Sequence, residues 1–132
     1  MILARSRNLG QQGKEKTILL VDDDASIATA WKRIFQLEGY RVVTASDGHA
    51  GLVAANEERP DLIITDQSMP GMEGVEFCRQ LKLELAQIPV ILASANSPGP
   101  GDKVVWDDFW QKPVSVRTMV ASIRRLLNAS PI

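Results

Sequence analysis

Short apolar runs that alternate with helix-like segments constrain the fold of this chain more than any other feature. Helical segments alternating with strands require parallel pairing through right-handed crossovers. Nearly continuous apolar strands also indicate a sheet that is covered on both faces. The sequence therefore predicts an α/β domain, a doubly wound parallel sheet with flanking helices. Its five predicted strands are residues 17–21, 41–45, 62–65, 90–93 and 108–111.

Composition and charge narrow the class of protein. The 132 residues have a net charge of −1 and no Lys/Arg cluster, which argues against a nucleic-acid surface. The single cysteine, Cys78, excludes an internal disulfide, and the apolar run at 2–4 is too short for a signal peptide. We therefore expect a cytoplasmic protein without direct contact with nucleic acid or membrane. A flexible tail is expected at residues 1–15 and one domain at residues 16–130.

The ends of the predicted strands carry the groups from which chemistry is expected. Asp22 and Asp23 follow the first strand, and Asp66, Ser94 and Lys112 end the third, fourth and fifth. In a parallel sheet these ends share the edge at which ligands bind. Converging carboxylates repel one another, and a bound Mg²⁺ would relieve that repulsion. A hydroxyl and an ammonium group beside them suit a phosphoryl group, with Asp66 as its nucleophile.

Four segments carry a resemblance to a known family. In order, they are ILLVDDD, DLIITDQSMPGMEG, ILASA and DDFWQKP, at residues 18–24, 61–74, 91–95 and 107–113. Together they resemble the CheY-like receiver domain of response regulators, the phosphoproteins of two-component signal transduction. The resemblance extends over residues 17–128 and implies a flavodoxin-like fold.

The resemblance implies an acceptor and a metal site. Asp66 would accept a phosphoryl group from the phosphohistidine of a histidine kinase or a histidine phosphotransfer protein in a phosphorelay. Asp22, Asp23 and Asp66, with the backbone carbonyl of Ser68, would hold Mg²⁺ or Mn²⁺.

The resemblance also implies groups that assist transfer and respond to it. Lys112 and Ser94 would take catalytic roles, the first by pairing with the phosphoryl oxygens. Ser94 and Phe109 would form the switch, in which the hydroxyl moves towards the phosphate and the aromatic ring repacks. Ser68 and Asn96 match positions that tune reaction rates in the family.

One segment departs from the family pattern. The family has its fourth helix between the fourth and fifth strands, where this chain has the helix-breaking run at 97–101, SPGPG. We therefore predict that the fourth helix is short or disordered, which puts the family's usual output surface in doubt. Trp106 and Trp110 follow this segment, and either both fill space that a helix would cover or one of them anchors a partner.

Three functions remain open from the sequence. The leading one is a phospho-acceptor, not an enzyme, that switches contacts with an unknown downstream protein and has no attached effector. The second is a receiver-like module that binds its partner without phosphorylation. The third is a small haloacid-dehalogenase-like phosphatase that would use Asp22 and Asp24. We instead expect Asp24 to cap the first helix, Trp31 to belong to that helix's packing face, and Cys78 to lie in the core.

Overall fold

A computed structural model describes residues 15–98 and 104–128 of the chain. Strands and helices alternate as the sequence predicts, and the described residues contain five strands and four helices. In chain order they are β1 (Thr17–Val21), α1 (Ala25–Leu37), β2 (Arg41–Ala45), α2 (Gly48–Glu58), β3 (Leu62–Asp66), α3 (Gly74–Glu84), β4 (Val90–Ser94), β5 (Asp108–Gln111) and α4 (Val116–Asn128).

The five strands form one parallel sheet in the order β2-β1-β3-β4-β5. Strand β3 lies at the centre, paired with β1 on one side and with β4 on the other. The register places Val21 beside Thr65, and Asp66 beside Ala93. The carboxyl ends of the three central strands therefore lie side by side, and the predicted doubly wound parallel sheet is confirmed.

Two layers of buried side chains cover the sheet. One layer packs under α1 and α4 and includes Phe35, Ile123 and Trp110. The other packs under α2 and α3 and includes Phe77, with Phe109 partly buried against it. We call these the Trp110 side and the Phe109 side, because these two neighbours in β5 turn to opposite faces of the sheet, as successive strand residues do.

Helix α1 begins and ends on residues that the sequence marks as caps. The carboxylate of Asp24 accepts hydrogen bonds from the N–H groups of Ser26 and Ile27, at 2.9 and 3.1 Å. This confirms Asp24 as the N-cap, a position that favours a short acidic side chain. Gly39 follows the helix with a φ of 99°, the left-handed conformation in which glycine is favoured.

The connection between β4 and β5 departs from the family pattern as predicted. None of the four helices in the described part of the chain lies between these strands. Residues 95–98 and 104–107 are not helical, which confirms that a full-length fourth helix does not form there. Residues 99–103, to which the prediction of disorder also applies, lie outside the described residues.

The predicted domain limits fall largely at the margins of the structure. Residues 1–14 of the predicted tail, and residues 129 and 130 of the predicted domain, lie outside the described residues. Those limits therefore stay predictions. Among the helices that the structure does describe, none has the length and apolar character needed to cross a membrane.

Candidate functional site

Three carboxylates meet at the carboxyl edge of the sheet. One oxygen from each of Asp22, Asp23 and Asp66 lies within 4.8 Å of the others. Asp22 and Asp23 follow β1, and Asp66 is the last residue of β3, so the parallel pairing of these strands brings them together. Asp22 and Asp66 are buried, whereas Asp23 is exposed. We call this group, together with Lys112, the acidic pocket.

The environment of Asp22 opposes its ionisation. Burial raises the pKa of the Asp22 carboxyl, and the Asp66 carboxylate raises it further. The N–H of Asp24, which donates to Asp22 Oδ1 at 2.9 Å, and the Lys112 ammonium lower it. The charged form is therefore disfavoured on balance. A hard cation bound by the three carboxylates would remove this cost, and oxygen-only donors suit Mg²⁺ or Mn²⁺.

Lys112 reaches into the acidic pocket from the end of β5. Its Nζ lies 2.7 Å from Asp66 Oδ1 and 3.6 Å from Asp22 Oδ2, and its side chain is 20% exposed. The backbone N–H of Lys112 donates to the carbonyl of Ser94 at 2.8 Å, which continues the β4–β5 pairing beyond the strands. The ammonium thus contacts two of the three carboxylates, and the predicted meeting of Lys112 with the acids is observed.

Ser94 and Phe109 border a small cavity on the Phe109 side. The cavity has a volume of about 270 Å³, and Ser68 and Asn96 also line it. The hydroxyl of Ser94 accepts a hydrogen bond from the Asn96 N–H at 3.2 Å. Phe109 is partly buried, so the cavity offers space beside its ring. The four residues predicted for switching and rate tuning therefore line the same cavity. Among them, Ser68 is exposed and lies in the loop after Asp66.

The two tryptophans near the β4–β5 connection both pack inwards. Trp110 is 2% exposed and belongs to the buried layer on the Trp110 side. Trp106 is partly buried, packs against the layer on the Phe109 side and lies 6.3 Å from the Phe109 ring. Their positions favour space filling over the anchoring of a partner.

Two residues that hold the loop after Asp66 were not found from the sequence. The side chain of Gln67 accepts a hydrogen bond from the Val75 N–H at 2.8 Å and donates to Glu73, so it caps the start of α3 from outside the helix. A Cβ on Gly74 would collide with the carbonyl oxygen of Asp66 and lie 2.8 Å from the Gln67 Cα. The Gly74 position is therefore set by the close approach of α3 to β3. The sequence signals for these two roles are an amide directly after Asp66 and a glycine at the start of the third helix, and neither signal is specific without the fold.

Trp31 is a third residue whose position was only partly foreseen. It packs against the buried layer on the Trp110 side, which confirms its predicted packing role. Its ring also lies under Lys112, with Nζ 5.5 Å from the ring centroid. Cys78 is buried as predicted, and burial raises the pKa of its thiol to about 12, which excludes a reactive thiolate at neutral pH.

Comparison with known proteins identifies the family that shares this arrangement. Residues 18–124 match the family model described as the response regulator receiver domain. The chain is 38% identical over 122 residues to the alkaline phosphatase synthesis transcriptional regulatory protein PhoP of Bacillus subtilis, covering 89% of this chain and 50% of PhoP. It is 34% identical over 114 residues to the DNA-binding response regulator MtrA of Mycobacterium tuberculosis, covering 83% of this chain and 50% of MtrA. The chain thus spans about half the length of the curated relatives it matches.

A solved structure agrees in both fold and sequence. The response regulator TrrA of Thermotoga maritima, in complex with Mg²⁺ and BeF, superposes with a TM-score of 0.80 at 29% identity, covering 84% of this chain and 98% of that one. The names of PhoP and MtrA describe a transcriptional regulator and a DNA-binding protein. The expectation that this chain makes no direct contact with nucleic acid is therefore not confirmed.

Proposed function

The chain belongs to the receiver domains of response regulators in two-component signalling, and on this premise we propose that Asp66 is its phosphoryl acceptor. The observation that carries the proposal is the contact of Lys112 Nζ with Asp66 Oδ1 at 2.7 Å, beside the carboxylates of Asp22 and Asp23. In this arrangement the nucleophile is held at a strand end, and an ammonium is already in place for the incoming charge.

The proposed reaction is a transfer between two side chains. A carboxylate oxygen of Asp66 attacks the phosphorus of a phosphohistidine on a histidine kinase or phosphotransfer protein. The P–N bond breaks, its electron pair stays on the imidazole nitrogen, and an aspartyl phosphate forms. Hydrolysis of that acyl phosphate by water would return the domain to its first state. Self-dephosphorylation is the only turnover that we predict.

The metal site is proposed from the donor set. Asp22, Asp23 and Asp66, with the backbone carbonyl of Ser68, would hold Mg²⁺ or Mn²⁺. The converging carboxylate oxygens support this proposal, because a bound cation would relieve their mutual repulsion. The pKa of the Asp22 carboxyl agrees with it, since burial first and the Asp66 carboxylate next raise that pKa and so disfavour the charged form in the absence of an ion. When bound, the ion would neutralise charge on the carboxylates and the phosphoryl oxygens. The Mg²⁺ and BeF in TrrA support the same assignment by similarity.

Lys112 has two successive partners in this scheme. Before transfer it orients Asp66 and offsets part of the carboxylate charge. After transfer it would pair with a phosphoryl oxygen, since a phosphoryl group adds about −1.5 to −2 charges near neutral pH. The ammonium therefore stays in the acidic pocket throughout and shifts its closest contact.

We propose that Ser94 and Phe109 form the switch. The Ser94 hydroxyl would donate to a phosphoryl oxygen, and Phe109 would repack into the cavity of about 270 Å³ that both residues border. Ser68 and Asn96 line the same cavity, and through it they would control how water reaches the aspartyl phosphate. Phosphorylation would thereby change the surface that an unknown downstream protein recognises. The reaction would take place in the cytoplasm.

The test is intact-mass measurement after incubation with Mg²⁺ and acetyl phosphate. We expect one phosphoryl adduct on the wild type and none on Asp66→Asn. The matched control is Asp47→Asn, because Asp47 lies outside the acidic trio and asparagine caps α2 as well as aspartate does. That variant should be modified like the wild type. An unmodified wild type, also after incubation with a phosphorylated histidine phosphotransfer protein, would refute the proposal and favour phosphorylation-independent binding.

A further inference from the structure

A line of contacts runs from Lys112 to the outer side of α4, on the face of the sheet opposite Phe109. Lys112 Nζ lies 5.5 Å from the Trp31 ring centroid. The Trp31 ring meets the Trp110 ring at a centroid distance of 5.8 Å and an interplanar angle of 69°. Trp110 Nε1–H donates to the Ser122 hydroxyl on α4 at 3.0 Å. The line therefore joins the acidic pocket to α4 through side chains in direct contact.

The line continues to the surface of α4. The Ser122 hydroxyl donates to Asp108 Oδ2 at 2.8 Å, and Arg125 donates to the same oxygen at 2.7 Å. Trp110 and Ser122 are buried, whereas the Arg125 side chain is 58% exposed. A rearrangement at Trp110 would therefore reach a charged pair that is accessible to a partner.

We propose that Trp31 is a positioning residue for Lys112, and that its contact with Trp110 transmits a displacement of Lys112 to the Asp108–Arg125 pair. This inference rests on the proposed phosphoryl transfer to Asp66. The face of an indole ring attracts an ammonium group, and the attraction strengthens where water is partly excluded. With Asp66 and Asp22 on its other sides, the Lys112 ammonium is held from three directions.

The geometry also gives the Trp31 ring little freedom. Its edge-type contacts with Phe35, at 6.4 Å, and with Trp110 are the arrangements that aromatic rings prefer. When the phosphoryl group draws Lys112 towards its oxygens, the ammonium changes its position over the Trp31 ring. Because close-packed rings cannot adjust independently, Trp110 and its hydrogen bond to Ser122 respond.

The first experiment measures the rate of Asp66 phosphorylation by acetyl phosphate, from intact mass over time. Trp31→Leu removes the ring face and keeps apolar bulk, so we expect a rate about 3-fold to 10-fold lower than wild type. Trp31→Phe keeps a ring and should lie between. The matched control is Trp106→Leu, which makes the same change at a partly buried tryptophan on the Phe109 side. Because Trp106 does not contact Lys112, the phosphorylation rate of this variant should stay within roughly 2-fold of the wild-type rate.

The second experiment gives a readout that a loss of packing would not produce. In NMR spectra, the ε-methylene protons of Lys112 should be shifted upfield by the Trp31 ring current, and the shift should vanish in Trp31→Leu but not in Trp106→Leu. Addition of Mg²⁺ and beryllofluoride should move the Trp110 indole N–H resonance in the wild type. The same addition should leave it in place in Trp31→Leu.

The outcomes separate this inference from the proposed function. If Trp31→Leu is phosphorylated at the wild-type rate, or if its Trp110 resonance still moves with beryllofluoride, the inference is overturned and Asp66 stands as the acceptor. A wild type that forms no adduct overturns both. If Trp31→Leu does not fold, the test uses Trp31→Phe instead. A wild-type phosphorylation rate and a wild-type Lys112 resonance in Trp31→Phe would then contradict the role of the indole.

Discussion

Phe109 and Trp110 are neighbours in β5, yet the structure holds them in different ways. Phe109 is partly buried and borders a cavity of about 270 Å³. Trp110 is 2% exposed, and its indole N–H is bonded to Ser122. One strand therefore has a side chain with free space beside it on one face, and on the other a buried, hydrogen-bonded side chain that can move only together with its neighbours. A receiver domain needs both, because a ring can switch only if the strand that carries it stays in place.

The largest effect should come from truncating Trp110, with Phe109 as the comparison. Trp110→Ala removes a fully buried indole and should lower the free energy of unfolding by about 3–5 kcal/mol. Phe109→Ala removes a partly buried ring beside an existing cavity and should cost only about 1–2 kcal/mol. Urea denaturation with a shared m-value would measure both. Equal losses in the free energy of unfolding would show that Phe109 and Trp110 are packed equally tightly.

A smaller effect should appear where the Phe109 side is tight. Gly74→Ala places a methyl group against the Asp66 carbonyl, the Gln67 Cα and Leu92 Cδ1. Backbone atoms cannot yield as a flexible side chain does, so we expect a loss of about 1–3 kcal/mol in the free energy of unfolding.

A control at another glycine makes the Gly74 result specific. The atoms nearest to a Cβ on Gly48 would be Cβ and Sδ of Met72, each at 2.9 Å, which are side-chain rather than backbone atoms, and the Sδ can turn away. Gly48→Ala should therefore cost less than Gly74→Ala in thermal unfolding. A Gly74→Ala protein as stable as the wild type would show that the loop after Asp66 can shift to make room for the added methyl group.

The Trp110–Ser122 hydrogen bond should contribute a similar or smaller amount. Ser122→Ala leaves a buried indole N–H without its acceptor, which should cost about 1–3 kcal/mol. Trp110→Phe removes the donor and part of the ring. A double-mutant cycle with both changes isolates the bond, and we expect a coupling of about 1 kcal/mol. A coupling near zero would mean that packing alone fixes Trp110.

The fold and the acidic pocket could be predicted from the sequence because both depend on local signals. Strands β1, β3 and β4 are short, largely apolar runs, and Asp22, Asp66 and Lys112 each stand at a strand end, so parallel pairing is enough to bring them together. The contact between Lys112 and Trp31 instead depends on tertiary packing. It needs the order of the strands and the packing of Trp31 on α1 against Trp110 on β5, and neither is encoded near either residue.

The role of Gln67 was hidden for a related reason. Its side chain caps a helix that begins several residues later, so no capping residue stands at the usual position before α3. The usual cap position holds Glu73, whose side chain makes no capping bond. Helix-start patterns read only neighbouring residues, whereas this cap comes from the end of the preceding strand.

An effect of similar size should appear where the two sides of the sheet meet, at the acidic pocket. Burial and the Asp66 carboxylate raise the pKa of the Asp22 carboxyl. The folded state therefore binds that proton more tightly than the unfolded chain, and ionised Asp22 lowers stability at neutral pH. This cost should begin to fall as the pH drops to the folded-state pKa and should be absent below the unfolded-state pKa. Mg²⁺ at ten times its Kd should instead offset it at neutral pH, by about 1.4 kcal/mol.

Asp22→Asn distinguishes charge relief from other effects of the ion. Asparagine Oδ1 can still accept the Asp24 N–H, so the local turn is kept. We expect this variant to unfold at a higher temperature than the metal-free wild type and to lose the response to Mg²⁺, whereas Asp47→Asn should keep that response. An Asp22→Asn protein that is still stabilised by Mg²⁺ would contradict the metal assignment.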